Sequence, residues 1–167
     1  QVLSVPRDYW LDDYQTKINA LYYYSEQKDP GHPTAFFESV LSETLGVTPD
    51  AVVVVKLDQL AELVDVVGGV EIDVPQSFVD EHFPRAGVDP SQETDLSVLQ
   101  ETISFSAGSQ LMNGDRVLEY VRSRQAEGTA GTDDARTQRQ QAVLAALITK
   151  LSSKDTLTNP ELLGKLV

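Results

Sequence analysis

The stretch AVVVVKLDQLAELVDVVGGVEIDV, residues 51–74, contains the pattern that decides the fold. Its first five residues, 51–55, are apolar and mostly β-branched, which predicts an interior strand buried on both faces. Its last five, 70–74, alternate apolar and acidic side chains, which predicts a half-exposed strand closed by Pro75. The stretch therefore begins and ends with a predicted strand.

A helix is predicted between these two strands. Asp58 is its predicted N-cap, and the pair Gly68-Gly69 is its predicted end. Its apolar face consists of four residues at helical spacing, Leu60, Leu63, Val64 and Val67. Strand, helix and strand in this order are typical of a sheet that is covered by helices.

The sequence on the N-terminal side has the same kinds of element. Residues 2–5 are a short apolar run ended by Pro6, as expected of a strand that stops where proline cannot donate to the ladder. Residues 33–45 have helical apolar spacing, with Gly46 as the stop. The chain is therefore predicted to be an α/β protein.

The C-terminal side begins with an ambiguous segment. Residues 76–110 show little periodicity and predict an irregular excursion or lid. A helix that starts at Asn113 is then predicted to end near Arg122, and a loop of small residues follows.

A long final helix is predicted after this loop. Asp133 or Asp134 is its predicted cap, and it is predicted to last to about Leu151. Its buried stripe is predicted to consist of Val143, Leu144, Leu147, Ile148 and Leu151.

The charge of the chain restricts its partners. The 167 residues have a formal net charge of −13, so nucleic acid is not expected to bind. Five of the seven arginines nevertheless lie between Arg116 and Arg139. An acidic protein has thus concentrated its guanidinium groups in one part of the sequence.

The absence of cysteine excludes a disulfide or a thiolate metal site. No run approaches the ~20 apolar residues that span a bilayer, and no signal peptide opens the chain. Because the chain begins at Gln1 and directly in an apolar segment, we expect an excised or processed fragment whose anchor could have been removed.

The arginines near the final helix predict an anion site. The buried stripe of that helix continues backward through Gln140 and Arg139 to Arg136, in the first turns, where the helix dipole disfavours a cation without a compensating anion. The planar, forked N–H donors of a guanidinium group match the oxygen atoms of a phosphate. Several guanidinium groups together repel one another, which favours a ligand with more negative charge, such as pyrophosphate. Arg122 and Arg124 join the group only if their helix has ended by Arg124.

Surface salt bridges are the alternative explanation for these arginines. Four acidic residues lie close enough in sequence to pair with them: Asp115, Glu119, Asp133 and Asp134.

Five motifs then appear in the order characteristic of one family. They are SVPRD at 4–8, KIN at 17–19, VDVVGGVEIDV at 64–74, LEYVRSR at 118–124 and DDARTQRQQ at 133–141. On these motifs the chain resembles the LytR-CpsA-Psr proteins over roughly residues 2–151. The resemblance implies a three-layer α/β/α sandwich around a central mixed sheet. It also implies one catalytic domain over residues 1–151, without its N-terminal strand or strands, and a tail or short helix over residues 152–167.

The resemblance implies a membrane-anchored bacterial phosphotransferase at the extracytoplasmic face of the cytoplasmic membrane. Such enzymes transfer a glycopolymer, for example wall teichoic acid, capsule or arabinogalactan, from a polyprenyl pyrophosphate carrier to peptidoglycan. The expected partners are the lipid-linked glycan, the peptidoglycan acceptor and the membrane, reached through an N-terminal anchor that is absent here.

The same resemblance assigns the pyrophosphate ligands. Four arginines would be catalytic, and a further arginine and a glutamine would bind substrate beside them. These residues are Arg7, Arg122, Arg124 and Arg136, followed by Arg139 and Gln140.

Four more residues are assigned to the site with supporting roles. Asp133 is expected to aim Arg136, and Asp8 to orient Arg7 or a strand-end loop. Lys17 and Asn19 would contact phosphate or sugar, or would hold a turn.

The resemblance also implies Mg²⁺. Family members hold it on aspartates that precede the segment corresponding to SVPRD, so those ligands would lie before residue 1 and are absent here. Asp12 and Asp13 follow that segment and are not assigned in their place.

Two alternative functions are considered. One is a module that binds polyprenyl phosphate or pyrophosphate without turnover, which the missing acidic loop suggests. The other is a regulator of cell envelope gene expression, a transcriptional attenuator. The charge of −13 and the lack of a helix-turn-helix signature speak against the regulator.

Overall fold

The structure, a computed structural model, describes residues 5–46, 48–52 and 54–160. The chain divides into two compact units, Gln1–Val54 and Val55–Val167. The described strands pair as three two-stranded antiparallel sheets, accompanied by helices, which confirms the α/β class. The strand predicted at residues 2–5 lies outside the described residues except for Val5.

The first unit consists of a small hairpin and two helices. β1, Trp10–Leu11, pairs with β2, Thr16–Lys17, and is followed by α1, Leu21–Lys28, and α2, Ala35–Leu45. Gly46 ends α2 at φ 65°, in the left-handed region that glycine favours, as predicted. The buried core of this unit consists of Leu11, Ile18, Leu21 and Val40.

The interior strand predicted at residues 51–55 is wrong for the four of these residues that are described. They form no strand, and the side chains of Val54 and Val55 are exposed. A strand exists only through pairing, and none of the strands described in this structure runs alongside these residues. The boundary between the two units falls here instead.

The second unit places helices on two antiparallel strand pairs. α3, Leu57–Val66, leads into β3, Val70–Val74, which pairs with β6, Gly108–Met112. β4, Phe78–Pro84, pairs with β5, Gln100–Phe105. Side chains of β3 alternate between buried and exposed, so the half-exposed strand is confirmed.

The irregular excursion predicted at residues 76–110 is wrong over most of its length. It contains β4, β5 and the start of β6, with the short helix α4, Leu96–Leu99, before β5. The alternation of β4 is hard to recognise because Asp80, 1% exposed, occupies a core position, and the register shifts between Asp80 and Phe83. Residues 85–95 form a loop, as predicted.

The predicted cap of α3 is wrong by two residues. Its N-cap is Lys56, whose backbone N–H donates to Oε1 of Gln59 at 3.1 Å. Asp58 lies in the first turn, where its charge still favours the helix dipole. Gly68 and Gly69, at φ 78° and 91°, follow the end of the helix as predicted.

Three further helices complete the second unit: α5, Gly114–Arg122, α6, Asp133–Leu151, and α7, Lys154–Leu157. α5 and α6 end where predicted. Thr132 caps α6 through its hydroxyl, which accepts from the N–H of Ala135 at 3.2 Å, so the prediction of an aspartate cap is wrong. Across the described residues, no helix is both long and apolar enough to cross a membrane.

The buried stripe of α6 is narrower than predicted. Val143 and Leu147 are buried in the core of the second unit, and Leu151 packs against it. Leu144 and Ile148 are instead 48% and 51% exposed, because they lie beyond the arc of the helix that the core covers. Two large apolar side chains of α6 thus remain on the surface.

Candidate anion-binding site

The segment Arg122-Ser123-Arg124 leaves α5 in an extended conformation. The helix ends at Arg122, and Ser123 has φ −53° and ψ 129°. Ser123 is fully buried, whereas Arg122, in the last turn of the helix, and Arg124, in the extended chain, are both exposed. The condition set by the sequence, that the helix ends before Arg124, is met.

Asp80 lies beneath this segment and accepts four hydrogen bonds. Its Oδ2 accepts from the hydroxyl of Ser123 at 2.7 Å and from the backbone N–H groups of Arg124 and Gln125, each at 3.1 Å. Its Oδ1 accepts from the backbone N–H of His82 at 3.1 Å. Burial raises the pKa of Asp80, but these hydrogen bonds together outweigh burial and hold the pKa below its usual value. Asp80 is therefore ionised at neutral pH.

Arg139 holds the same segment from its carbonyl side. Its guanidinium donates to the carbonyl oxygens of Tyr120 at 2.8 Å, Ala130 at 2.8 Å and Ser123 at 2.6 Å. It also lies 5.1 Å from the ring centroid of Phe78 and is 6% exposed. Burial lowers the pKa of Arg139, but a guanidinium keeps its charge. Three of its five N–H donors are thus used within the fold.

One carboxylate joins two of the predicted arginines. Oδ1 of Asp133 lies 3.0 Å from Nη1 of Arg136 and 3.5 Å from Nη2 of Arg124. Asp133 therefore orients Arg136 from the first turn of α6 rather than from the cap. Because two guanidinium groups share one carboxylate, positive charge remains available for an anion.

The salt bridges considered as an alternative are formed in part. Arg116 pairs with Glu119 at 2.5 Å and stacks on the ring of Phe105, with 3.7 Å between the guanidinium carbon and the ring centroid. Arg122 contacts an aromatic face too, 5.6 Å from the ring centroid of Phe83. Among the salt bridges between described residues, that of Arg116 is thus the one that a clustered arginine forms away from Asp133.

A line of four residues along α6 changes from polar to apolar. Arg136, Gln140, Leu144 and Ile148 follow one another at intervals of four, so they lie on one face of the helix. Gln140 is exposed, as are Leu144 and Ile148. We call this surface the α6 line. A molecule with an anionic head and an apolar tail fits this surface, with its head at Arg136 and Gln140 and its tail along Leu144 and Ile148.

A cavity of about 500 Å³ lies on another side of α6, next to Arg139. Val74, Phe78 and Tyr120 supply apolar wall area, whereas Asp73 and Asp134 supply carboxylates. Those carboxylates disfavour a pyrophosphate in this cavity. The electrostatics therefore favour the side of α6 that carries Arg136 and Gln140.

The remaining predicted residues lie in the first unit. Arg7 and Asp8 are exposed in a turn closed by the hydrogen bond from the N–H of Tyr9 to the carbonyl of Pro6, 3.0 Å. Oδ1 of Asp8 lies 3.1 Å from Nζ of Lys17 and accepts from Nδ2 of Asn19 at 3.3 Å. Lys17 and Asn19 thus have the geometry of residues that hold a turn.

The described ranges contain no group of three or more His, Cys, Asp or Glu side chains that could together hold a metal ion.

Sequence reasoning missed Asp80 and Ser123. An aspartate at an inward position of an alternating segment was the available signal for Asp80. A small hydroxyl residue between two arginines was the signal for Ser123.

Comparison with known proteins gives consistent matches. The family model described as "LytR_cpsA_psr family" matches residues 1–167. The chain is 31% identical over 163 residues to the polyisoprenyl-teichoic acid–peptidoglycan teichoic acid transferase TagV of Bacillus subtilis, covering 94% of this chain and 36% of TagV. It is 30% identical to the cell wall biosynthesis protein LcpA of Corynebacterium glutamicum, covering 98% of this chain and 32% of LcpA. The chain thus spans about a third of the length of these relatives.

Solved structures agree on the fold. The crystal structure of B. subtilis TagV superimposes with a TM-score of 0.60 at 27% identity, covering 89% of this chain and 50% of that one. The LytR-CPS2A-psr family protein YwtF (TagT), solved with bound octaprenyl pyrophosphate lipid, gives a TM-score of 0.55 at 22% identity, covering 87% of this chain and 50% of that one.

Proposed function

Because this chain belongs to the LytR_cpsA_psr family, we propose that it forms part of a phosphotransferase that moves a glycopolymer from a polyprenyl pyrophosphate carrier to peptidoglycan. The name of TagV, a teichoic acid transferase, supports the reaction class. The cell envelope, at the extracytoplasmic face of the cytoplasmic membrane, is the proposed location.

One observation carries the proposal. Arg124 and Arg136 meet at a single carboxylate oxygen of Asp133, at the polar end of the α6 line. The pyrophosphate would lie against these arginines and Gln140, and the prenyl chain would run over Leu144 and Ile148. TagT carries a lipid of this chemical class, octaprenyl pyrophosphate, on the same fold.

The proposed reaction transfers a phosphoryl group with its attached glycan. A hydroxyl oxygen of the acceptor attacks the phosphorus nearest the sugar, the bond from that phosphorus to the bridging oxygen breaks, and polyprenyl phosphate leaves. The acceptor hydroxyl loses its proton in this step, and the proton passes to the leaving polyprenyl phosphate or to solvent. Guanidinium donors of Arg122, Arg124 and Arg136 would stabilise the oxygens that gain negative charge.

Other predicted participants remain part of the proposal on the strength of their motifs. Arg7 is a further proposed phosphate ligand, and Asp8, Lys17 and Asn19 would shape its turn. Mg²⁺, where the full-length protein binds it, would neutralise phosphate charge. No ligand set for it is assigned among the residues described, and no step is derived through it.

The test is a transfer assay with the full-length protein. It uses a polyprenyl pyrophosphate-linked glycan, Mg²⁺ and peptidoglycan, and measures glycan attached to peptidoglycan. Arg136→Ala is expected to reduce transfer about 10²- to 10³-fold, as the loss of one preorganised donor does elsewhere. Arg116→Ala is the matched control, since it removes a guanidinium that contacts Glu119 and Phe105 instead. Equal transfer by the parent and Arg136→Ala would contradict the proposal.

Binding of the lipid phosphate without turnover is the second candidate. The α6 line favours it as much as it favours an enzyme, because the line accounts for recognition alone. A protein that retains polyprenyl phosphate, loses it on Arg136→Ala and forms no product in the assay would support this candidate over the first.

A further inference from the structure

Asp80 is separated by more than forty residues from the arginines of the candidate site, yet it contacts the backbone that carries them. Three of its four hydrogen bonds are to the consecutive residues Ser123, Arg124 and Gln125. They satisfy two backbone N–H groups and one hydroxyl just past the end of α5. These bonds keep the chain extended where the helix has stopped.

Arg139 holds the same segment by donating hydrogen bonds, whereas Asp80 accepts them. Asp80 accepts from N–H groups of the segment, and the guanidinium of Arg139 donates to the carbonyls at 120, 123 and 130. Both groups are buried, and their opposite charges attract each other. Ser123 bonds to both through different atoms, so it is fixed on two sides.

The consequence for the arginines follows from where Ser123 is held. Ser123 is held inward, and the residues on either side of it, Arg122 at the end of α5 and Arg124 in the chain that follows, are both exposed. If Ser123 were released, the segment could rotate or continue the helix. Arg124 would then lose the direction that brings its guanidinium to 3.5 Å from Oδ1 of Asp133, since side chains two apart on a helix do not face each other.

We propose that Asp80 is a positioning residue, which acts through Ser123 to set the direction of Arg122 and Arg124, with Arg139 as the counterpart on the carbonyl side. The inference rests on the proposed function, because it assumes that these two arginines bind pyrophosphate. It adds a residue outside all five motifs, and it gives Arg139 a role in the fold instead of direct contact with substrate.

The test measures affinity for inorganic pyrophosphate by calorimetry in the full-length protein. Asp80→Asn keeps the size of the side chain but replaces one of its two acceptor oxygens with an NH₂ group, which donates. Either the bonds to Oδ2 or the bond to Oδ1 must then be lost. We expect it to weaken pyrophosphate binding about tenfold or more, as misplacement of a binding group does. Ser123→Ala removes one hydrogen bond and serves as the second variant, with a smaller loss, if Asp80→Asn does not fold.

A double-mutant cycle separates positioning from general destabilisation. In the Arg122→Ala/Arg124→Ala background, Asp80→Asn is expected to change affinity less than about twofold, because both groups on which it acts are already absent. Gly114→Ala is the matched control, since its Cβ would meet Ala61 and Asp65 of α3, neither of which is a hydrogen-bond partner of Asp80. It is expected to bind pyrophosphate like the parent at temperatures where it is folded.

Three results would overturn the inference, and each is distinguishable from the others. If the parent binds pyrophosphate, Arg124→Ala weakens binding and Asp80→Asn does not, the positioning role is wrong and the proposed function stands. If the effects of Asp80→Asn and of the paired substitution Arg122→Ala/Arg124→Ala add fully, Asp80 acts elsewhere. If the parent binds no pyrophosphate, the proposed function fails, and the positioning role fails with it.

Discussion

Arg136 and Asp133 form an ion pair of 3.0 Å across one turn of α6, and the arginine side chain is 11% exposed whereas the aspartate side chain is 68% exposed. The guanidinium is therefore held against the protein while its partner faces solvent. This geometry suits a donor that must already be oriented when its ligand arrives.

Arg136→Lys tests whether the forked guanidinium matters. Lysine keeps the charge but cannot donate two parallel hydrogen bonds, so we expect it to restore little of the function lost in Arg136→Ala. The kcat/KM of transfer by Arg136→Lys should remain at least about tenfold below the parent. Parent-like transfer by the lysine variant would show that charge alone suffices.

Leu144 and Ile148 test the path of the prenyl chain. Replacing both with serine should weaken binding of a long polyprenyl pyrophosphate about tenfold, because roughly 1 kcal/mol or slightly less of apolar contact is lost at each half-exposed side chain. Binding of inorganic pyrophosphate should not change. Titration of the two ligands side by side makes the comparison, and an equal effect on both would place the chain elsewhere.

Arg139→Met should lower stability strongly. It leaves three buried carbonyl groups without their donor, for which we expect a loss of about 2–4 kcal/mol in the free energy of unfolding. Gln140→Ala is the neighbouring control, because this side chain is exposed, and its effect should stay within about 0.5 kcal/mol. Urea denaturation followed by circular dichroism measures both.

Asp80 should make stability depend on pH in the acid range. Its pKa is lower in the folded than in the unfolded chain, so its contribution is present above the unfolded pKa, roughly pH 4, and is lost as the pH falls through the folded pKa. Asp80→Asn should lack this component and should be less stable than the parent at pH 7. Denaturation curves from pH 2 to 7 test it; parallel curves for both proteins would contradict it.

Gly114 should not tolerate a side chain. A Cβ at this position would meet the carbonyl oxygen of Ala61 and lie 2.7 Å from Oδ2 of Asp65, where α3 and α5 pack together. Gly114→Ala should therefore lower the free energy of unfolding by about 1–3 kcal/mol. Thermal denaturation against the parent measures the loss, and an unchanged midpoint would show that the two helices can separate freely at this point.

The parts of the fold that followed from sequence are those set by local pattern. α2, α3, α5, α6 and β3 each have a periodic apolar face or a glycine stop. The exposed side of α6 was mistaken for core at Leu144 and Ile148, because periodicity identifies apolar residues but does not show how wide an arc the core covers. The strand predicted at residues 51–55 is wrong for the four residues described, because pairing of a strand depends on distant partners.

The candidate site could likewise be predicted only in part from the sequence. Arg124, Arg136 and Asp133 were predicted from their motifs, and the structure brings them together at one oxygen atom. Asp80 was missed although its inward position in an alternating segment was a signal, because a lone aspartate in a strand is ordinarily on the solvent face. Its burial depends on donors that come from a segment more than forty residues later, and sequence pattern carries no information about that match.

The burial of Ser123 also constrains how this part of the molecule can evolve. A residue at position 123 that cannot donate would leave the carboxylate at position 80 short of a partner, and a large one would not fit. We therefore expect the two positions to change together among homologues: where the residue between the two arginines is bulky and apolar, position 80 should have lost its acid.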